Sequence, residues 1–255
     1  MPLYRSHGQS DVGRVRKHNE DSYLLDDQIG LYVVADGLGG HAAGEVASEE
    51  AVHTIRGWVR RERGRVEGLL NDPYDPGLQA AAENILRGAV QAATYFVFSM
   101  AEFDESKSGM GTTTSVLMLL GRVAVIAQVG DSRIYLARDE QIAQVTEDHT
   151  LIAAQIREGM LTAEEARYAP HRNVITRAVG SHDYVEVDTR VVETVPGDRF
   201  LLCTDGLHGY LEHDEEALHF LQMSPIAATQ NLINLANDRG GKDNITAVVV
   251  EVIEV

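Results

Sequence analysis

The sequence predicts an α+β protein in which helices cover the faces of largely antiparallel sheets. Two observations carry that expectation. Two long amphipathic helices stand between early strands and a later strand-rich block, and the two element types never settle into the alternation that a parallel sheet needs. The chain of 255 residues is long enough for a sizeable core, and no repeat, low-complexity tract or flexible linker divides it. A single domain over residues 1–255 is therefore expected.

Runs rich in β-branched residues predict strands at 31–35, 112–120, 122–129, 133–137, 200–203 and 246–252. Within 44–63, Val52, Ile55 and Val59 recur at helical spacing. Within 78–101, Leu78, Ala82, Ile85, Ala89, Ala93, Phe96 and Met100 trace one face. The turn formers of 71–77 separate these helices rather than domains. A third helix is predicted over 225–238, with Ser224 as N-cap, Pro225 in the first turn and Gly240 beyond the end. Residues 148–173 form a charged surface excursion with short helical character at Ile152 and Ile156 and a capping box from Thr162 to Glu165. A lid over a site and an inert helical hairpin both fit it.

Charge and cysteine content narrow the setting. Asp and Glu total 39 against 22 Lys and Arg, a formal net charge of −17. Such acidity argues against nucleic acid and anionic membranes as partners. Cys203 is the only cysteine, so no intrachain disulfide forms, as in a reducing compartment. The first 21 residues are polar, and the apolar runs are far too short to span a bilayer. A soluble, cytoplasmic, monomeric protein is expected.

The acidic residues raise a sharper question, because three hydrophobic runs end in an aspartate beside glycine: Asp36-Gly37, Gly130-Asp131 and Asp205-Gly206. Asp243-Asn244 immediately precedes a fourth run, and Glu20-Asp21 leads into a fifth. Asp-Gly alone is mostly a turn signal, and Pro196-Gly197-Asp198, set among polar residues between two strands, is read that way. The others would begin at the edge of the core, where a carboxylate is costly unless paired or metal-bound. Converging, such ends would make an oxygen-rich pocket for Mg²⁺ or Mn²⁺. Spacing alone leaves the turn and ligand readings both open.

At these residues the sequence resembles the metal-dependent protein phosphatases, the type 2C serine/threonine family, in its compact bacterial form. The matching segments are Asp11-Val12-Gly13-Arg14-Val15-Arg16-Lys17-His18-Asn19-Glu20-Asp21, Val34-Ala35-Asp36-Gly37-Leu38-Gly39-Gly40-His41, Gly111-Thr112-Thr113, Gly130-Asp131-Ser132-Arg133, Cys203-Thr204-Asp205-Gly206-Leu207 and Asp243-Asn244-Ile245-Thr246. They occur in family order and span nearly the whole chain. The resemblance implies a four-layer sandwich, two antiparallel sheets flanked by helices, with metals at one end.

It also implies roles. Asp36 would bridge two Mn²⁺ or Mg²⁺ ions, with the Gly37 carbonyl on one of them and Asp205 and Asp243 on the other. Glu20 and Asp21 would hold metal-bound waters, with direct ligation by Asp21 as an alternative. Asp131, helped by Asp205, would take a third ion. Arg16 would grip the substrate phosphate, and a hydroxide bridging the metals would attack phosphorus. Many eukaryotic relatives carry histidine two residues after the bridging aspartate, where Leu38 stands here. His41 is the candidate general acid or phosphate-positioning group, against a structural role at a helix start. Cys203 lacks an arginine six residues on, where Gly209 stands, and is read as a buried strand residue. His149 and the other histidines are assigned surface or structural roles. The excursion over 148–173 coincides with the family's flap.

The function implied is hydrolysis of phosphoserine and phosphothreonine in proteins, opposing a bacterial serine/threonine kinase that is itself among the partners. Two rivals stand beside it. One is the same chemistry on another phosphorylated regulator, such as a phosphohistidine protein. The other is a non-catalytic pseudophosphatase that binds phosphoproteins.

Overall fold

The computed structural model describes residues 3–39, 42–166 and 174–255. Eleven strands of the described residues form two antiparallel sheets. The first contains β1 (Tyr4–Asp11), β7 (Arg133–Arg138), β8 (Gln141–Gln144), β10 (Arg199–Cys203) and β11 (Ile245–Val252), in the order β1-β11-β10-β7-β8. The second contains β2 (Asp21–Asp26), β3 (Leu31–Leu38), β5 (Thr114–Leu120), β6 (Val123–Val129) and β9 (Asp188–Glu193), in that order, with the short β4 (Gly111–Thr112) pairing the end of β3.

Side-chain alternation explains why these strands read as continuous apolar runs. In β3, Leu31, Val33 and Ala35 face a core shared with helices, while Tyr32 and Val34 face the other sheet. In β11, Ile245, Ala247 and Val249 pack under helices, and Val248, Val250 and Val252 enter the inter-sheet core. Strands covered on both faces need hydrophobic residues at every position.

Helices α1 (Ala42–Glu62) and α2 (Pro76–Phe103) cover the second sheet. The first sheet is covered by α5 (Asp205–His208), α6 (Asp214–Leu221) and α7 (Pro225–Asp238). The layers are thus helix, sheet, sheet, helix, as expected. The predicted cap is present, Ser224 Oγ accepting from the Ala227 N–H, and Asp75, which the sequence reading did not single out, caps α2 through the Gly77 and Leu78 N–H groups. Between β8 and β9 lie α3 (Leu151–Arg157) and α4 (Ala163–Ala166). The capping box closes reciprocally, with the Thr162 N–H on Glu165 Oε2 at 2.8 Å and the Glu165 N–H on Thr162 Oγ1 at 3.2 Å. The end of the predicted excursion, 167–173, lies outside the described residues.

Three strands went unpredicted because their patterns are weak. β1 is only half-buried along most of its length and is held by pairing with β11 over eight residues. β8 and β9 are sheet edges whose sequences, Gln-Ile-Ala-Gln and Asp-Thr-Arg-Val-Val-Glu, carry little apolar signal. The predicted run over 112–120 breaks at Thr113, whose side chain and backbone N–H are turned to Asp36. Among the described residues, no helix is long and apolar enough to cross a membrane.

Candidate metal centre

The carboxylates meet at one end of the sandwich because strand register puts them there. Asp21 and Asp36 are direct cross-strand partners at the end of the β2–β3 pair. Like charges in that relation repel. Asp205 opens α5 straight after β10, and Asp243 lies two residues before β11, the strand beside β10. Asp131 lies in the turn between β6 and β7, so it joins the cluster where a strand of one sheet passes into a strand of the other.

The backbone around each is fixed by neighbours. The Asp36 N–H donates to Thr113 Oγ1 at 2.9 Å, and its carbonyl accepts from the Thr113 N–H (2.9 Å) and the Thr112 hydroxyl (2.8 Å). The Thr113 hydroxyl also meets Ser132 Oγ at 2.7 Å, tying the Asp36 strand end to the Asp131 turn. Two glycines permit close approach. A side chain at Gly37 would run into the Gly44 carbonyl, and one at Gly206 into the carbonyl of Asn244. The loop carrying Arg16 is clamped by Asn244, which donates to the Val12 and His18 carbonyls and accepts the Glu20 N–H at 2.8 Å.

The electrostatics are those of a site built for cations. Burial, then the charges of Asp21, Asp205, Asp131 and Asp243, pushes the Asp36 carboxyl well above the usual range. Asp21 is pushed up to about 7, mainly by burial, with Asp205 and Asp243 adding repulsion and bonds from Thr246 and Thr204 opposing it. Asp131 also rises to about 7, through burial and then Asp205 and Asp148. Asp205 is raised by burial and by Asp243.

Two buried oxygens in this cluster, Asp21 Oδ1 and Asp205 Oδ1, have no hydrogen-bond partner. Orphaned buried carboxylate oxygens among like charges fit hard divalent cations. Even so, no three acidic, histidine or cysteine side chains among the described residues are already closed into a ligand cluster. Part of the reason is visible. Arg16 Nη2 donates to Asp243 Oδ2 at 2.8 Å, and the Thr204 and Thr246 hydroxyls hold Asp21 Oδ2 at 2.8 and 2.6 Å. The guanidinium assigned to phosphate thus pairs with an assigned ligand.

The remaining expectations divide plainly. Glu20 follows the Arg16 loop, its carbonyl accepting from the Gly37 N–H and the Ser48 hydroxyl. His41 lies outside the described residues. Cys203 is fully buried in β10, and burial pushes its thiol up to about 12. His149 is buried and structural. Its Nδ1 accepts from the Gly130 N–H at 3.2 Å, its own N–H donates to the Gly130 carbonyl, and Nε2 meets Asp188 at 3.1 Å. It thereby joins the start of the flap to the turn carrying Asp131. Sequence reasoning assigned no roles to Thr113, Thr204, Thr246 or Asn244. For Thr204, Asn244 and Thr246 the signal was position near an aspartate at a strand end, whereas Thr113 is 77 residues from Asp36 and only the fold joins them.

Comparison with known proteins shows the family and the fold. The family model "Protein phosphatase 2C" matches residues 12–239. The serine/threonine protein phosphatase PstP of Mycobacterium tuberculosis is 37% identical over 253 residues, covering 99% of this chain but 46% of that protein. The chain thus spans about half the length of that relative. The serine/threonine phosphatase stp of Listeria monocytogenes is 37% identical over 251 residues, covering 95% of this chain and 94% of that one. The crystal structure of the mycobacterial PstP superposes with a TM-score of 0.87 at 36% identity, covering 98% of this chain and 99% of that one. A second structure, the PstP catalytic domain in complex with two manganese ions, gives 0.81 at 36% identity, covering 98% and 99%.

Proposed function

Because the chain belongs to the protein phosphatase 2C family, we propose that it hydrolyses phosphoserine and phosphothreonine in proteins, using Mn²⁺ or Mg²⁺. The observation that carries this reading is the pair of buried, unpartnered oxygens on Asp21 and Asp205 within a cluster of mutually repelling carboxylates. Residues 1–255 act as one catalytic domain, as a monomer in the cytoplasm, and oppose a serine/threonine kinase. The negative charge speaks against nucleic acid and membrane surfaces.

Asp36 and the Gly37 carbonyl would hold one ion, with Asp36 shared by a second ion on Asp205 and Asp243. Glu20 and Asp21 would steady the surrounding water, and Asp131 with Asp205 would take a third ion. When bound, such ions supply Lewis-acid charge for the phosphoryl oxygens and acidify a water enough to act as nucleophile at neutral pH.

The chain's own residues do the positioning. Arg16 is half exposed and reaches the cluster, so the guanidinium on Asp243 can turn to a phosphate and bind two of its oxygens. The network of Thr112, Thr113 and Asn244 holds the ligand backbone without reorganisation during turnover. His41 is assigned protonation of the leaving alkoxide on sequence grounds. A His41→Ala variant should then slow an alkyl phosphopeptide more than an aryl phosphate with a good leaving group, and equal slowing would remove that role. The flap is assigned control of protein substrates, so deleting residues 161–169 should change the peptide-to-aryl rate ratio.

The test is Mn²⁺-dependent aryl phosphate and phosphopeptide hydrolysis that disappears with chelator and in Asp36→Ala. Metal binding without any hydrolysis would instead favour a phosphoprotein-binding module.

A further inference from the structure

The metal end opens into a groove of about 770 Å³ whose two walls differ in chemistry. One wall is the flap, where Ile152, Ala153 and Ile156 of α3 present an apolar surface. The lining also includes the segment from α5 into α6, ending on Asp214 and Glu215. We propose that this groove receives the chain flanking the phosphorylated residue and selects substrates with a basic side chain on that flank, read by Asp214 and Glu215. The inference rests on the phosphatase reading above and adds a substrate class to it.

Charge complementarity is the argument. The groove's described lining contains two permanently cationic residues, Arg133 and Lys242, and two histidines, His208 and His213. Arg133 is consumed by Asp148, whose carboxylate accepts Nε and Nη2 at 2.7–3.1 Å. Lys242 adjoins Asp243 at the metal end. His208 is engaged elsewhere, its Nε2 meeting the Asp131 carbonyl at 3.0 Å. Asp214 and Glu215 have no ion-pair partner among the described residues.

The two groups of carboxylates along the groove therefore have different fates. Asp131, Asp205 and Asp243 would be neutralised by the ions they hold. Asp214 and Glu215 would not. They leave negative charge in the same groove as the candidate metal ligands. Rim charges of this kind set partner preference through complementarity and like-charge rejection more than through raw affinity. Asp214 and Glu215 belong to a single segment of the lining, so the preference should exist on one flank only.

The experiment uses the Mn²⁺-loaded protein and phosphothreonine peptides that differ only by Arg or Glu two and three residues from the phosphate, on either side. The expected result is a kcat/KM about fivefold or more higher for Arg than for Glu on one flank. That ratio should fall to near one or invert in Asp214→Lys/Glu215→Lys, with aryl phosphate turnover unchanged. Since lysine in the first turn of α6 opposes the helix dipole, Asp214→Asn/Glu215→Gln provides a milder variant that should reduce the ratio by about half or more. As a readout independent of turnover, fluorescence anisotropy of labelled peptides carrying a non-hydrolysable phosphonate in place of the phosphate, on Mn²⁺-loaded protein, should show the same order of affinities and the same loss in both variants. Equal kcat/KM for all peptides, or a preference that survives both variants, overturns the inference while leaving the phosphatase reading intact. Hydrolysis of aryl phosphate but of no phosphopeptide overturns the phosphoprotein reading and this inference together.

Discussion

Asp198, fully buried, and Asp36, half-buried at the metal end, are both aspartates beside a glycine, and the molecule treats them in opposite ways. The Asp198 carboxylate is fully enclosed, yet every demand is met. Arg138 donates to it from Nε at 2.7 Å and Nη2 at 2.8 Å, and the Val195 N–H adds a third bond at 2.9 Å. Asp26 is similar, with Arg56 and Arg60 both at 2.9 Å. At the metal end, Asp36 faces Asp21 across the sheet and has Asp205, Asp131 and Asp243 as electrostatic neighbours. Burial of a carboxylate therefore does not mark a site. Burial without a matching cation does, because the missing charge must come from protons or from a ligand.

Removing Asp36 should have the largest effect. Asp36→Ala is expected to lower Mn²⁺-dependent aryl phosphate turnover on the order of a thousandfold. The same variant should leave the melting temperature of chelator-treated protein unchanged or higher, because a repelling buried charge has gone. A large loss of stability there would make Asp36 structural, like Asp198. Asp198→Ala should do the reverse. Urea denaturation should show a loss of about 3 kcal/mol, since a buried pair loses one partner, while turnover of the folded protein stays near that of the parent.

The comparison also has a pH signature. Asp21, Asp36, Asp131 and Asp205 have folded-state pKa values above the ordinary carboxylate range, with Asp21 and Asp131 near 7. Between about pH 4 and 7 the folded protein then holds more protons than the unfolded chain, so stability falls as pH rises through that window. Chelator-treated protein should melt about 5 °C or more lower at pH 7.5 than at pH 5, and saturating Mn²⁺ should erase most of the difference. Absence of that trend would mean that the carboxylates are not mutually coupled. The smallest effect concerns the hydroxyls on Asp21. Thr246→Val removes a 2.6 Å bond and should cost about 1 kcal/mol, seen as a melting shift of a few degrees.

Much of the framework was legible because double burial writes itself into the chain. β5 and β6 are buried at every position and could be read as apolar runs, and α7 matched its predicted limits because Ser224 and Pro225 mark its start. β1 was illegible because its partner is β11, more than two hundred residues away, and its own residues are polar. The candidate ligands were visible as aspartates closing hydrophobic runs, although their convergence depends on register that no local pattern encodes. The same limit applies to Asp198. Its sequence suggested an ordinary turn, which it is, but only the fold places Arg138 against it. Thr204, Thr246 and Asn244 were within recognised segments, and their bonds to Asp21, Glu20 and the Arg16 loop appear only in three dimensions.

The central claim is that the repelling carboxylates form a site for divalent ions, and calorimetric titration of chelator-treated protein with Mn²⁺ tests it most directly. Run near pH 6.5 in buffers of different ionisation enthalpy, it should show at least two ions bound per chain. Protons should be released on binding, because carboxyls raised toward 7 must give them up. Asp36→Asn should abolish most of that binding. Fewer than one ion per chain, or binding that Asp36→Asn leaves untouched, would contradict the account.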